Sequence, residues 1–338
     1  MVLRRPALLL LALGFATACQ GTVAPSPAAS GATPSAGVPA ASASGTRPTY
    51  VLAVLTGMLT LDKDGRVIGK LVDLPPQTFA SGATVDPAGR QIAFVLTNIS
   101  QATQNGFGSD IYLVNVDGSG LQKIVTHEQE NTFYSGPAFD PSGRFLYFQR
   151  RSSVLRAGTP VNDDSIERLD LQTGERKQVL VDGTDPTISP DGKTLVFVHL
   201  IRSQVDTLWV ADADGTNGKP FFKVKDRFFY MQTPRFAPTG CQIVFSGAGR
   251  TLVNGTFAGS HSAHLGIPSD VYLSPCDGSS ITSIGETFDD VTPVWSPDGT
   301  KIGFALGGQV SQLTVATREL NKLAQSDAFS FGDLVWLR

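Results

Sequence analysis

Histidine and cysteine are the side chains best suited to metal or nucleophilic chemistry in this 338-residue chain, which has four of the first and three of the second. His127 is followed by Glu128 but not by a second histidine one helical turn on, so the spacing that grips zinc on a helix is missing, and the stretch reads as a loop. His261 and His264 stand three apart in a run rich in Gly, Ala and Ser, which allows either a metal pair or a solvated polar loop. Asp62 to Gly65 and Asp212 to Gly215 share the Asp-x-Asp-Gly opening of a calcium loop but lack the remaining ligands and the distal Glu. A hairpin turn accounts for both. No G-x-S-x-G string occurs, so a nucleophile elbow has no support. The expectation is therefore no catalytic residue, no metal and no cofactor.

Charge points the same way. Net charge is −3, from 27 Lys+Arg against 30 Asp+Glu, and supplies no electrostatic case for nucleic acid. Arg150, Arg151, Arg156, Arg202 and Arg250 follow three apolar runs and could gather into an anion-attracting patch; Asp163, Asp164 and Asp206 are near enough in sequence to neutralise it. Phe133, Tyr134, Phe228, Phe229, Tyr230 and Phe288 fall between strand-like runs, where they either pack between elements or stay exposed for recognition.

The first 48 residues concern location. Arg4 and Arg5 precede an apolar run from Ala7 to Phe15, then Ala16-Thr17-Ala18-Cys19, the order of a secretion signal. The apolar run is short of the roughly 20 residues a spanning helix needs. Ala16-x-Ala18 suits ordinary signal cleavage, while small residues before Cys19 resemble the lipobox of bacterial lipoproteins, which usually carries Leu at the place of Ala16. The lipobox reading implies acylation of Cys19. Residues 20–48 are almost all Ala, Pro, Ser, Gly and Thr. Such a segment has nothing to bury and should act as a tether with a reach of about 30 Å. The expected organisation is residues 1–18 as signal, 19–48 as lipidated tether and 49–338 as the folded body.

That body is a repeat. Val85-Asp86-Pro87-Ala88-Gly89, Phe139-Asp140-Pro141-Ser142-Gly143, Ile188-Ser189-Pro190-Asp191-Gly192, Phe236-Ala237-Pro238-Thr239-Gly240 and Trp295-Ser296-Pro297-Asp298-Gly299 are five copies of one string. Each is followed by an alternating apolar triplet such as Ile92-Ala93-Phe94 or Ile302-Gly303-Phe304. Pro presets one turn dihedral and Gly supplies a positive φ, so each copy is a tight turn between antiparallel strands. A second hairpin follows, with Asp117-Gly118, Asp214-Gly215 or Asp277-Gly278 as its turn. The turn glycines are 54, 49, 48 and 59 residues apart, the period of four-stranded propeller blades. Tyr50 to Leu71 offers three strands with no first strand before them, and Leu334-Val335-Trp336-Leu337 offers a first strand with nothing after it. The expectation is an all-β, six-bladed β-propeller whose first blade is closed by the C-terminal strand.

With Trp295-Ser296-Pro297-Asp298-Gly299 and Ile302-x-Phe304 in place, the chain resembles the TolB-type β-propeller repeat family over essentially all of residues 49–338. The resemblance implies the propeller fold. TolB carries an additional N-terminal α/β domain where this chain has a tether, so TolB's own partners are not implied.

Cys241 opens the second strand of the fifth unit and Cys276 ends the third, places that antiparallel pairing puts side by side. In an oxidising compartment they are candidates for a disulfide worth ~3–4 kcal/mol, with two buried thiols as the alternative. Short turns gather on one face of a propeller and long loops on the other. Asn98 to Ser109, Arg150 to Asp164 and Gly247 to Ser269 are the long ones. The candidate binding face is accordingly Arg150, Arg151, Arg202, Arg250, Tyr230, His261 and His264. The functional expectation is a monomeric, non-enzymatic lipoprotein, exported and held by lipid to the bacterial membrane, facing periplasm or exterior. It would bind an envelope protein or small ligand. A lactonase-like or lyase-like enzyme at the channel mouth and a structural scaffold are the alternatives. Thiol titration of unfolded, unreduced protein lacking residues 1–19 should find no free thiol; two would overturn the disulfide.

Overall fold

Pro-x-Gly and Asp-Gly turns cut the chain into short strands that can only meander. The computed structural model describes residues 47–54, 57–99, 105–224, 228–249, 269–287, 291–326, 329 and 332–338, and 24 strands lie among them. They are β1 (Tyr50–Val54), β2 (Gly57–Leu61) and β3 (Val67–Val72); then β4 (Thr78–Val85), β5 (Gln91–Asn98), β6 (Gly108–Asn115) and β7 (Gln122–Val125). Next come β8 (Thr132–Phe139), β9 (Phe145–Arg156), β10 (Thr159–Asp170) and β11 (Arg176–Val181), followed by β12 (Gly183–Ile188), β13 (Thr194–Ile201), β14 (Gln204–Asp212) and β15 (Lys219–Pro220). The remainder are β16 (Phe228–Phe236), β17 (Gln242–Gly249), β18 (Asp270–Pro275), β19 (Thr282–Gly285), β20 (Val294–Trp295), β21 (Lys301–Leu306), β22 (Gln309–Thr314), β23 (Leu320–Gln325) and β24 (Asp333–Trp336).

Consecutive strands pair antiparallel in a propeller of four-stranded sheets: β12 to β15, β16 to β19, β20 to β23, and a sheet ordered β24-β1-β2-β3. In the last, Tyr50 pairs with Trp336 and Ala53 with Asp333. β4 to β11 form one eight-stranded sheet, which corrects the expectation of six separate blades: the described residues form four sheets of four strands and one of eight. The joint is a single parallel bridge between Gly108 of β6 and Thr132 of β8. Gly108 permits it, because any side chain there would strike the Thr132 carbonyl and the His127 ring.

The core lies between sheets. Val51 and Met58 pack with Phe94, Leu113 with Phe148, and Ile166 with Phe197. The series continues with Leu208 and Phe245, then Leu273 and Phe304; Ala305 and Val310 pack on Leu52 and Leu334, returning to the first sheet. The repeated Phe of the Ile-x-Phe triplet thus fills the same interface each time, and burying each such ring stabilises by about 1.5–3 kcal/mol.

Two further expectations are corrected. Arg150 to Asp164 is no loop: β9 and β10 pair in register from Phe145↔Asp170 to Arg156↔Thr159. Alternation of side chains persists through the segment, and Ala157-Gly158, with φ of 51° and 80°, supplies the positive dihedrals that a two-residue hairpin turn requires. Five of the six aromatics are not in connections either. Phe133 and Tyr134 belong to β8, and Phe228, Phe229 and Tyr230 to β16, because β-propensity carries the inner strands further back than the turn motif suggests. Cys241 and Cys276 are joined by a disulfide with a Cα–Cα distance of 5.2 Å.

The Asp-Gly turns have a second duty. Gly118 has φ +85°, and a Cβ there would collide with the Leu71 carbonyl at the outer strand of the neighbouring sheet; Gly278 stands likewise against the Phe221 carbonyl. Gly118→Ala should cost roughly 1–3 kcal/mol from backbone conformation alone, with more from the collision. A urea midpoint unchanged by the substitution would contradict this packing.

Candidate functional site

Four inner strands carry one irregularity in common. Pairing of β4 with β5 jumps from Ser81↔Val95 to Thr84↔Ala93, and β8 with β9 from Ser135↔Gln149 to Ala138↔Tyr147. β12 with β13 jumps from Thr184↔Val198 to Thr187↔Val196, and β16 with β17 from Gln232↔Ser246 to Arg235↔Val244. Two residues therefore oppose one at each place, and the one is always the core Phe, namely Phe94, Phe148, Phe197 or Phe245. The local cause is proline in three of the four: Pro137, Pro186 and Pro234 have no N–H to give the ladder. The residue before each adopts positive φ, 57° at Gly136, 49° at Asp185 and 48° at Thr233, with Gly82 at 58°. Glycine does this freely. Asp185 and Thr233 do it at a cost of order 1 kcal/mol each, strain of the kind that gathers at functional sites.

These residues face one another across the inner strands. Asp333, at the start of β24, accepts the Gly82 N–H on Oδ2 at 2.5 Å, and Asp185 Oδ2 accepts the Thr233 N–H at 3.1 Å. Asp185 Oδ1 lies against Gly136, where a Cβ would approach it to 3.1 Å. Arg235, two residues beyond Thr233, donates from its guanidinium to the Pro234 carbonyl at 2.9 Å, while its own carbonyl accepts the Trp295 indole N–H at 3.0 Å. Thr233 Oγ1 is buried without a hydrogen-bond partner. Burial pushes the Asp185 carboxyl above the usual carboxylate range, against the pull of Arg235. The same low-dielectric surroundings draw the Arg235 guanidinium down, opposed by Asp185 and Asp333.

Beyond this ring the inner strands open into two adjoining cavities on the side of the Pro-x-Gly turns. One of about 200 Å³ is walled by Trp295, Trp336 and Leu334, the other, about 480 Å³, by Phe139, Ile188 and Pro141; Arg235, Phe236 and Arg338 line both. Lining begins one or two residues C-terminal to Gly82, Gly136, Asp185, Thr233 and Asp333, so that ring lies next below the cavities without lining them, and the turn prolines form the rim.

Sequence-flagged residues lie elsewhere. Arg150 is 3.5 Å from Glu128 and 3.8 Å from Glu167, Arg151 donates to Asp164 at 2.6 Å, and Arg156 to Asp163 at 2.9 Å. Carboxylates thus meet three of the five arginines. Arg202 is exposed in the β13–β14 turn, and the Tyr230 hydroxyl donates to Gln232 at 3.0 Å. Cys19, Arg250, His261, His264, Phe288 and the tether of residues 20–46 lie outside the described residues. His127 is buried, its Nδ1 2.6 Å from Asp110 and its Nε2 3.2 Å from the Gly106 carbonyl. One flagged residue connects to the channel. Asp164 also accepts from Gln149 at 2.8 Å, and Gln149 Oε1 accepts from Ser135 and Thr184 at 2.6 Å each, so Arg151 is tied to the neighbour of Asp185. The missed residues did have a signal: Gly136-Pro137, Asp185-Pro186, Thr233-Pro234 and Thr292-Pro293 stand at one distance before the turn motif.

The fold defines the class: an all-β propeller of antiparallel sheets. No family profile matches the chain, and no curated protein matches it. Among solved structures it is similar to TolB from Acinetobacter baumannii, with 18% identity and TM-score 0.61, covering 86% of this chain and 66% of that one. It is also similar to an oligogalacturonate lyase from Vibrio parahaemolyticus (13%, TM-score 0.52, covering 80% and 72%). A third is a puromycin-hydrolysing peptidase from Mycobacterium tuberculosis (12%, TM-score 0.52, covering 81% and 43%). Identities this low establish shared fold and nothing about activity.

Asp185→Asn tests the electrostatics of the ring. A carboxyl whose pKa is raised on folding destabilises the folded state once pH exceeds the unfolded value and is neutral in both states at low pH. The variant keeps an acceptor for Thr233 and should melt a few degrees higher than wild type at neutral pH. That gain should vanish as pH falls below the usual carboxylate range; a gain independent of pH, or a loss at neutral pH, would refute the assignment.

Proposed function

We propose that this chain is a TolB-like lipoprotein of the bacterial envelope, tethered through acylated Cys19, whose propeller binds a partner or ligand at its channel mouth and performs no chemistry of its own. In this reading the propeller has six blades: the eight-stranded sheet divides at the Gly108–Thr132 bridge into two, and β24 closes the ring on β1. The cyclic series of cores supports the count, with five four-strand units each burying a Phe against the unit before it and the first unit meeting the last through Leu52 and Leu334. The observation that carries the binding role is the cavity itself. Aromatic walls from Trp295, Trp336 and Phe236 and the Arg235 guanidinium sit on a scaffold stiffened by sheet pairing, the usual make-up of a ligand site.

Photo-crosslinking in the native host is the test. A crosslinking residue at Pro238, on the rim, should give a discrete adduct, and one at Lys322, exposed on an outer strand, should not. Equal labelling from both positions would remove the mouth as the binding site. Labelling with radioactive palmitate should be lost in Cys19→Ser, and retention would remove the lipid anchor.

A second reading, a propeller lyase, is favoured by one feature: a carboxyl held above its usual range beside a guanidinium is poised as a general acid. Formation of unsaturated product from oligogalacturonate, abolished by Asp185→Asn, would favour it over the binding role.

A further inference from the structure

We propose that the channel takes a small zwitterion of the amino-acid type, its ammonium group at Asp185 and Asp333 and its carboxylate at Arg235. This deepens the binding-module reading and rests on it. The argument begins with charges that share one channel and do not pair. Asp185 and Asp333 both act electrostatically on Arg235, yet no ion pair joins them among the described residues; the guanidinium's hydrogen bond goes to the Pro234 carbonyl. A guanidinium has five N–H donors, and a side chain so enclosed ordinarily meets a carboxylate.

What keeps them apart is the bulge ring. Each Asp spends Oδ2 on the backbone N–H of a neighbouring bulge, Gly82 for Asp333 and Thr233 for Asp185, and is thereby held by the backbone of the next inner strand. Oδ1 of both remains available, and Thr233 Oγ1 stands beside them without a partner. Acceptors are thus gathered in the ring next below the cavities, and Arg235, two residues beyond Thr233, lines both cavities. A ligand with an ammonium group and a carboxylate on adjacent carbons supplies both missing partners and relieves the desolvation that burial imposes on either charge. A plain cation would leave Arg235 unpaired; a plain anion would face two carboxylates. Trp295, Trp336 and Phe236 along the walls favour an apolar or aromatic substituent, and cavities of about 200 and 480 Å³ have room for one.

Isothermal titration calorimetry on the full folded chain tests this with three probes: L-phenylalanine, phenethylamine and 3-phenylpropionate. L-Phenylalanine should bind at least tenfold more tightly than either truncated probe. Asp333→Asn should weaken L-phenylalanine at least tenfold without weakening 3-phenylpropionate, and Arg235→Gln should weaken L-phenylalanine without weakening phenethylamine. No heat from L-phenylalanine, equal affinity for phenethylamine, or variants that bind as wild type would each overturn the proposal. If a variant fails to fold by circular dichroism, the three-probe comparison on wild type still decides. An adduct at the Pro238 rim with no heat from L-phenylalanine would reject this ligand class alone; loss of both would reject the binding role as well.

Discussion

Proline cannot donate to a β-ladder, and three inner strands place one two residues before the strand's last residue. The break that results sets the geometry of the channel. A bulged strand leaves one residue with positive φ, turns that residue away from regular pairing, and sharpens the local twist. Because Phe94, Phe148, Phe197 and Phe245 anchor the partner strands in equivalent cores, the bulges fall at one height. Residues with little in common chemically, two glycines, an aspartate and a threonine, thereby form one constriction.

Seen from that constriction, the charges divide into two kinds. Arginines on the long hairpin and its neighbours meet carboxylates at short range: Arg151 with Asp164, Arg156 with Asp163, and Arg176 with Glu128 and Glu167. Such pairs near solvent contribute little to stability individually, and chiefly fix where side chains lie. Asp185, Asp333 and Arg235 differ, since they are held by backbone groups instead of by each other. Backbone anchoring removes the freedom that would let them collapse into a salt bridge. The cost of burial is visible at two of them, the Asp185 carboxyl shifted upward and the Arg235 guanidinium downward.

Much of the fold could be read from turn chemistry, since Pro-x-Gly before an Ile-x-Phe triplet has few conformations open to it. The four-stranded unit and its approximate length followed from local preferences alone. Fusion of β4 to β11 into one sheet did not, because a single bridge at Gly108 depends on how closely two units approach in space. The hairpin at Ala157-Gly158 was hidden by polar residues that read as loop, although its alternation and turn pair were present. For the site, His, Cys and Arg stand out in a sequence because their chemistry belongs to the residue type. Asp185 and Asp333 are ordinary residues until the fold sets one in a bulge and the other against the backbone of a neighbouring bulge.

By itself the sequence determined the all-β class, the repeat, its turns and the Phe that fills each interface, because these depend on dihedral preference and alternation within a few residues. It also laid down an order at the N-terminus that reads as export. Only the tertiary structure decided that Asp185, Thr233, Arg235 and Asp333 share one channel. They are separated by as many as 148 residues, from Asp185 to Asp333, and no local rule relates them. Their proximity arises from stacking successive sheets about one axis, and their chemistry from the removal of water that stacking imposes.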